Sequence, residues 1–142
     1  MFRVIMLIIL SALFVQPAFA DNARPETAKY VKGYTGQEGV KLWTLRIGPR
    51  SENEALLQIS NIDHELDMKI LRCKVQPTSD GGKGYSTEID GKQFMVLRLN
   101  NGVGELYLPG ETPISVAYND DLSRQGDAEY FLTDYLGQKA KK

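Results

Sequence analysis

The chain has one histidine, one cysteine and one tryptophan in 142 residues, and each scarcity excludes something. One cysteine forms no intramolecular disulfide, so whatever folds here is held by packing. One histidine and one cysteine do not complete a zinc set, and no metal or other cofactor is expected. No G-x-S-x-G elbow, H-E-x-x-H pair or Walker loop occurs. With Lys+Arg 17 against Asp+Glu 18 and a net charge of −1, there is no basic excess to hold nucleic acid. Long apolar runs are also missing after the first residues. An enzyme is therefore not expected, although carboxylates from distant positions can always meet in space.

The one extended apolar stretch lies in residues 1–20, MFRVIMLIILSALFVQPAFA. Arg3, the run Val4 to Leu10 and Ala18-Phe19-Ala20 before Asp21 have the order of a secretory signal peptide. The run is too short to span a bilayer, and Gln16-Pro17 interrupts the residues beyond it. No cysteine lies near the cleavage site to take a lipid. Cleavage after Ala20 predicts a soluble protein of the bacterial periplasm with no membrane anchor. Its expected parts are a loose leading segment (21–28), a single β-rich domain with a C-terminal helix (29–138) and a basic tail (139–142).

Within that domain, short apolar runs alternate with turn chemistry. Strands are expected over Tyr30–Tyr34, Val40–Ile47, Glu54–Ser60, Leu66–Val75, Tyr85–Ile89, Lys92–Leu99, Glu105–Leu108 and Ile114–Tyr118. Asp90-Gly91 and Asn101-Gly102 mark tight hairpins, because their central residues tolerate positive φ. Pro109-Gly110 marks a third turn. Met95, Leu97 and Leu99 alternate with Phe94 and Val96, which reads as a central strand buried on both faces. The fold predicted is mainly β: an antiparallel sandwich or flattened barrel of seven or eight strands. In GDAEYFLTDYLGQ the period becomes helical. Asp127 caps a helix there, Phe131, Leu132, Tyr135 and Leu136 share a face, and Gly137 ends it.

His64 and Cys73 lie close together in IDHELDMKILRCKV (62–75), which raises the question of a catalytic pair. In an extended strand Leu71, Cys73 and Val75 share one face while Arg72 and Lys74 share the other. Cys73 then behaves as a small buried hydrophobe rather than a reactive thiol. His64 falls in a polar turn among Asp63, Glu65 and Asp67, whose spacing fits neither zinc nor a calcium loop. The pair is not expected to act together. SDGGKG (79–84) lacks the following helix that a phosphate loop needs.

GELYLPGE (Gly104 to Glu111) and FLTDYL (Phe131 to Leu136) run strand, turn, closing helix. In that order the chain resembles small periplasmic immunity proteins against the cell-wall toxins of type VI secretion, and its build is similar to periplasmic lysozyme inhibitors. The resemblance implies a protein that binds a peptidoglycan-active enzyme and blocks it. The paired-cysteine elements of several inhibitor families are absent, so no inhibitory loop is carried over. Candidate contacts are chosen on chemistry instead. Lys83 and Tyr85 belong to the Ser79–Tyr85 loop, and Asp120 and Asp121 to an acidic turn after Asn119. Two other readings stand beside this one. The first is an envelope or secretion-apparatus accessory subunit that pairs through an exposed strand edge. The second is a carboxylate-based cell-wall hydrolase. The oligomeric state is left open.

Overall fold

A computed structural model describes residues 24–140; the expected signal peptide and the last two residues of the tail lie outside the described residues. Eight strands are present: β1 (Lys32–Gly36), β2 (Lys41–Ile47), β3 (Glu54–Ser60), β4 (Ile70–Pro77), β5 (Lys83–Ile89), β6 (Lys92–Asn100), β7 (Val103–Leu106) and β8 (Ile114–Tyr118). Each pairs antiparallel with the next, and β8 returns to β1 through Tyr34↔Tyr118, Thr35↔Ala117 and Gly36↔Val116. The sheet is therefore a closed barrel, the second of the two expected architectures. Two helices follow, α1 (Asp120–Gln125) and α2 (Ala128–Ala140).

The hairpins form where the turn dipeptides stand. Asp90 and Gly91 have φ of 53° and 81°, and Asn101 and Gly102 have 54° and 82°, which are the left-handed values these tight turns require. β4 begins at Ile70, later than expected, because Met68 at φ 65° breaks the extended run. β1 likewise starts at Lys32, leaving Tyr30 outside the sheet and exposed.

Side-chain alternation makes two cores. Leu42, Ala55, Leu57, Ile59, Cys73 and Leu106 are among those that fill the lumen. Leu45, Ile47, Leu56 and Ile70 point the other way and are covered by Phe131 and Leu132 of α2. Strands β2 and β3 are apolar on both faces because one face lines the lumen and the other lies under a helix. β6 is apolar on both faces for a different reason. Its register with β5 skips between Tyr85↔Leu97 and Ser86↔Met95, so Val96 is the extra residue of a bulge. A bulge adds one residue and re-aims those after it. Phe94 before it, Val96 in it, and Leu97 and Leu99 after it all join the lumen core, while Met95 is exposed. β6 is thus buried on one face, not on two.

Residues 24–28 are tied down rather than loose. Thr27 bridges to Ile47, Gly48 N–H donates to the Glu26 carbonyl at 2.8 Å, and Arg24 reaches Glu129 and Thr133 of α2. The far end of α2 is fixed by Gln138, whose amide accepts from Ile70 N–H at 2.9 Å and donates to its carbonyl at 2.8 Å. A side-chain amide here takes the place of a neighbouring strand.

Asp127 caps α2 as expected, its carboxylate accepting from Tyr130 N–H at 2.9 Å. Gly137 does not end the helix, which runs on through Lys139 to Ala140 and takes up the start of the expected tail. A Cβ at Gly137 would meet nothing within 4 Å. Gly137→Ala should therefore raise stability by about 0.5–1 kcal/mol, the usual cost of a glycine inside a helix. Thermal unfolding of the pair of proteins checks it.

Candidate functional site

The two ends of the barrel are built differently. At one end the β1–β2, β3–β4, β5–β6 and β7–β8 connections meet. There the β3–β4 loop turns Leu66 inward, Ile62 packs beside it, and Leu108 enters from the β7–β8 connection. These apolar side chains plug that end. His64 belongs to the plug's backbone: its Nδ1 accepts from Leu66 N–H at 3.1 Å. Asp67 does similar work by accepting from Ile62 N–H. His64 and its acidic neighbours thus shape a turn, and no group of three or more His, Cys, Asp or Glu that could hold a metal occurs among the described residues.

The other end, where β2–β3, β4–β5 and β6–β7 connect, is open. A cleft of about 730 Å³ lies in its mouth. Alternation along the strands decides what points in. Lys32 shares a face with Tyr34, Arg46 with Thr44 and Leu42, and Lys83 with Tyr85. All three cations line the cleft, and Arg50 joins them from the β2–β3 loop. None of the four forms an ion pair among the described residues. Arg46 spends one N–H on the Gly48 carbonyl.

Among the described residues Glu54 is the one carboxylate on the cleft's lining, and it is already engaged. It follows the outward face of β3, where its Oε1 lies 2.6 Å from Arg72 Nη2 and its Oε2 3.5 Å from Lys74 Nζ. The hydrogen bond from Arg72 holds its carboxyl below the usual carboxylate range. The cleft keeps its positive character because this acid is neutralised from outside the barrel.

Below the cations the lining becomes neutral: Thr44 and Tyr85 beside Ala55 and Val75. Thr44 is 4% exposed and lies against the phenols of both Tyr34 and Tyr85. Burial pushes both phenols up; at neutral pH a phenol carries its proton in any case and can donate. Tyr118 stands edge-on to Tyr34, their ring centroids 5.8 Å apart. The mouth therefore offers cations at the rim, hydroxyls beneath and an apolar wall.

Of the residues named from sequence, Lys83 and Tyr85 reach this mouth, although as strand residues of β5. Tyr85 is 8% exposed and faces the lumen, so it is part of the floor and not a protruding anchor. The preceding loop is ordered by Asp80, which is hydrogen-bonded to Thr78 and accepts from Gly82 N–H at 3.1 Å. Asp120 and Asp121 lie at the same barrel end, past β8. They open α1 instead of a free turn: Asn119 caps Leu122 N–H at 2.8 Å, and Arg124 pairs with both aspartates. Their charge is partly cancelled by that pairing. Lys32, Arg46 and Arg50 escape sequence reasoning because isolated cations at strand ends look like ordinary solvated positions. The signal that Lys32 and Arg46 share is an inward register two residues from a lumen residue; Arg50, in the β2–β3 loop, carries none.

Comparison with protein-family models, curated proteins and solved structures returns no match to this chain. The functional reading rests on the geometry.

Cys73, the other member of the candidate pair, is 0% exposed inside the lumen. Burial pushes its thiol up to about 12, and Arg72 and Lys74 face away toward Glu54. A thiolate nucleophile needs the opposite environment.

Proposed function

We propose that the protein is an exported, non-catalytic binding protein of the periplasm that acts as an immunity or inhibitor protein on a peptidoglycan-active enzyme. The observation that carries this reading is the cationic mouth at the open end of the closed barrel, whose cations form no ion pair among the described residues. Enzymes that cleave glycans hold two carboxylates at the scissile bond, so their clefts are acidic. A rim bearing Lys32, Arg46, Arg50 and Lys83 is the complementary surface, and opposed charge speeds and orients docking. The leader expected in residues 1–20 supports the compartment, and the resemblance to immunity and inhibitor proteins supports the partner.

Barrel closure weakens the accessory-subunit reading. Strand addition needs an unpaired edge, and β1 and β8 satisfy each other. The hydrolase reading has little support at the mouth. Glu54, held ionised by Arg72 and Lys74, has no proton to give a leaving group.

The mature chain, immobilised and exposed to envelope and secreted fractions, should retain a cell-wall-active enzyme and suppress its turnover of peptidoglycan. Expression in the periplasm should protect cells that receive such a toxin. Recovery of no such enzyme together with no protection would sink the proposal.

A further inference from the structure

Three features of the mouth are more than a flat docking surface requires. The first is depth: the cleft descends past the rim to Thr44, Ala55, Val75 and Tyr85. Its volume of about 730 Å³ falls within the range of roughly 300–1,000 Å³ that small-molecule sites occupy. The second is the vertical order of chemistry. Cations lie above, neutral hydroxyl donors next, and a short apolar wall runs down one side. The third is that Glu54, the one acid on the lining among the described residues, lies on the outward face of β3 and is engaged there by Arg72 and Lys74. Eight-stranded barrels are just wide enough to be filled by side chains or to admit one small ligand. This barrel does the first at its plugged end and leaves room for the second at its mouth.

We infer that the mouth is a binding site for a small oxyanion, a carboxylate or phosphate monoester carried on a compact apolar body. The anionic head lies among Lys32, Arg46 and Lys83, and it accepts hydrogen bonds from Thr44 and Tyr85. Those hydroxyls are suited to the task because a phenol and a threonine hydroxyl both keep their protons at neutral pH and can donate. The body rests against Ala55 and Val75. A long acyl chain is excluded, because Leu42, Leu57 and Leu97, each 0% exposed, fill the lumen below. This site goes beyond the partner reading: it needs the barrel alone and holds whether or not an enzyme also covers the rim.

The test is a nuclear magnetic resonance titration of the mature chain with phenyl phosphate, phenylacetate and, as the uncharged control, benzyl alcohol. Both anions should shift the amides of Thr44, Ala55, Val75 and Tyr85, and the alcohol should not. If phosphate is the natural head group, phenyl phosphate binds more tightly; if carboxylate, phenylacetate does. Lys32→Gln combined with Lys83→Gln removes two exposed cations that hold no ion pair among the described residues. It should weaken the anions at least tenfold and leave the unfolding curve in place. Raising the salt should weaken them too, since charge at an open mouth is screened. The inference is overturned by silence at millimolar probe, by equal response to benzyl alcohol, or by affinity that survives the double substitution. Because only chain and probe are present, failure to capture an enzyme leaves this result untouched. Capture of an enzyme with a blank titration would make the mouth a protein contact and nothing more.

Discussion

Cys73→Asp should abolish the folded barrel at room temperature. Position 73 is fully buried in the lumen core with Leu57, Val96 and Leu106, and the buried side chains that share that core include no cation to pair with a carboxylate. Arg72 and Lys74 are committed to Glu54 outside. Burying an uncompensated polar or charged group costs on the order of several kcal/mol, a large part of the roughly 5–15 kcal/mol that holds a domain together. Cys73→Ala removes only a small group and should lose about 1 kcal/mol. The native thiol should resist disulfide-exchange reagents until denaturant is added. Linkage gives a further signature. Burial pushes the thiol from its ordinary value of 9.0 up to about 12 in the barrel. Its contribution is complete below pH 9 and is lost as pH rises from 9 to 12. Cys73→Ala should flatten part of that alkaline decline, with the buried phenols of Tyr34 and Tyr85 supplying the rest. Rapid labelling of the folded protein would contradict the burial of this residue outright.

Gly104→Val should be nearly as damaging, for a reason of space. A Cβ on Gly104 would run into the Arg98 carbonyl oxygen and lie 2.9 Å from Leu99 Cα. Backbone cannot yield as a flexible side-chain tip does, so β6 and β7 would have to part where Leu99 pairs with Gly104. Overpacking a tight site costs roughly 1–3 kcal/mol and sometimes more, and here the strain falls on a ladder that closes the barrel. Gly91→Ala isolates backbone conformation from clash. Its φ is 81° and its Cβ would meet nothing within 4 Å, so it should cost only about 1–2 kcal/mol, the usual penalty for a side chain held in the left-handed region. Denaturant midpoints for the two variants should differ clearly. Equal midpoints would mean that β7 does not press on β6 as described.

The hairpins were legible because Asp-Gly and Asn-Gly determine a turn locally. Barrel closure was not, because it depends on β1 meeting β8 across most of the chain, and local alternation fits a sandwich equally well. The bulge at Val96 was hidden for a related reason. Apolar residues in succession look the same whether a strand is buried twice or shifts face once. Helix α1 went unseen because a short helix capped by Asn119 carries too little periodicity to stand out from a polar loop. At the candidate site, sequence pointed to Lys83 and Tyr85 through residue type alone. It could not show that Tyr85 faces inward, nor that Lys32 and Arg46 converge on Lys83. That convergence is a product of strand register, and register follows only from the closed sheet.

If the cationic mouth is the working surface of this protein, site-specific photocrosslinking in the periplasm tests it most directly. A photoreactive residue replaces Lys83 at the mouth or, as the control, the exposed Tyr130 on α2. Adducts with a cell-wall-active enzyme are expected from position 83, lost when Lys32 and Arg50 are changed to glutamate, and none from position 130. Adducts that form from position 130 alone, or that persist from position 83 after the charge reversal, would contradict it.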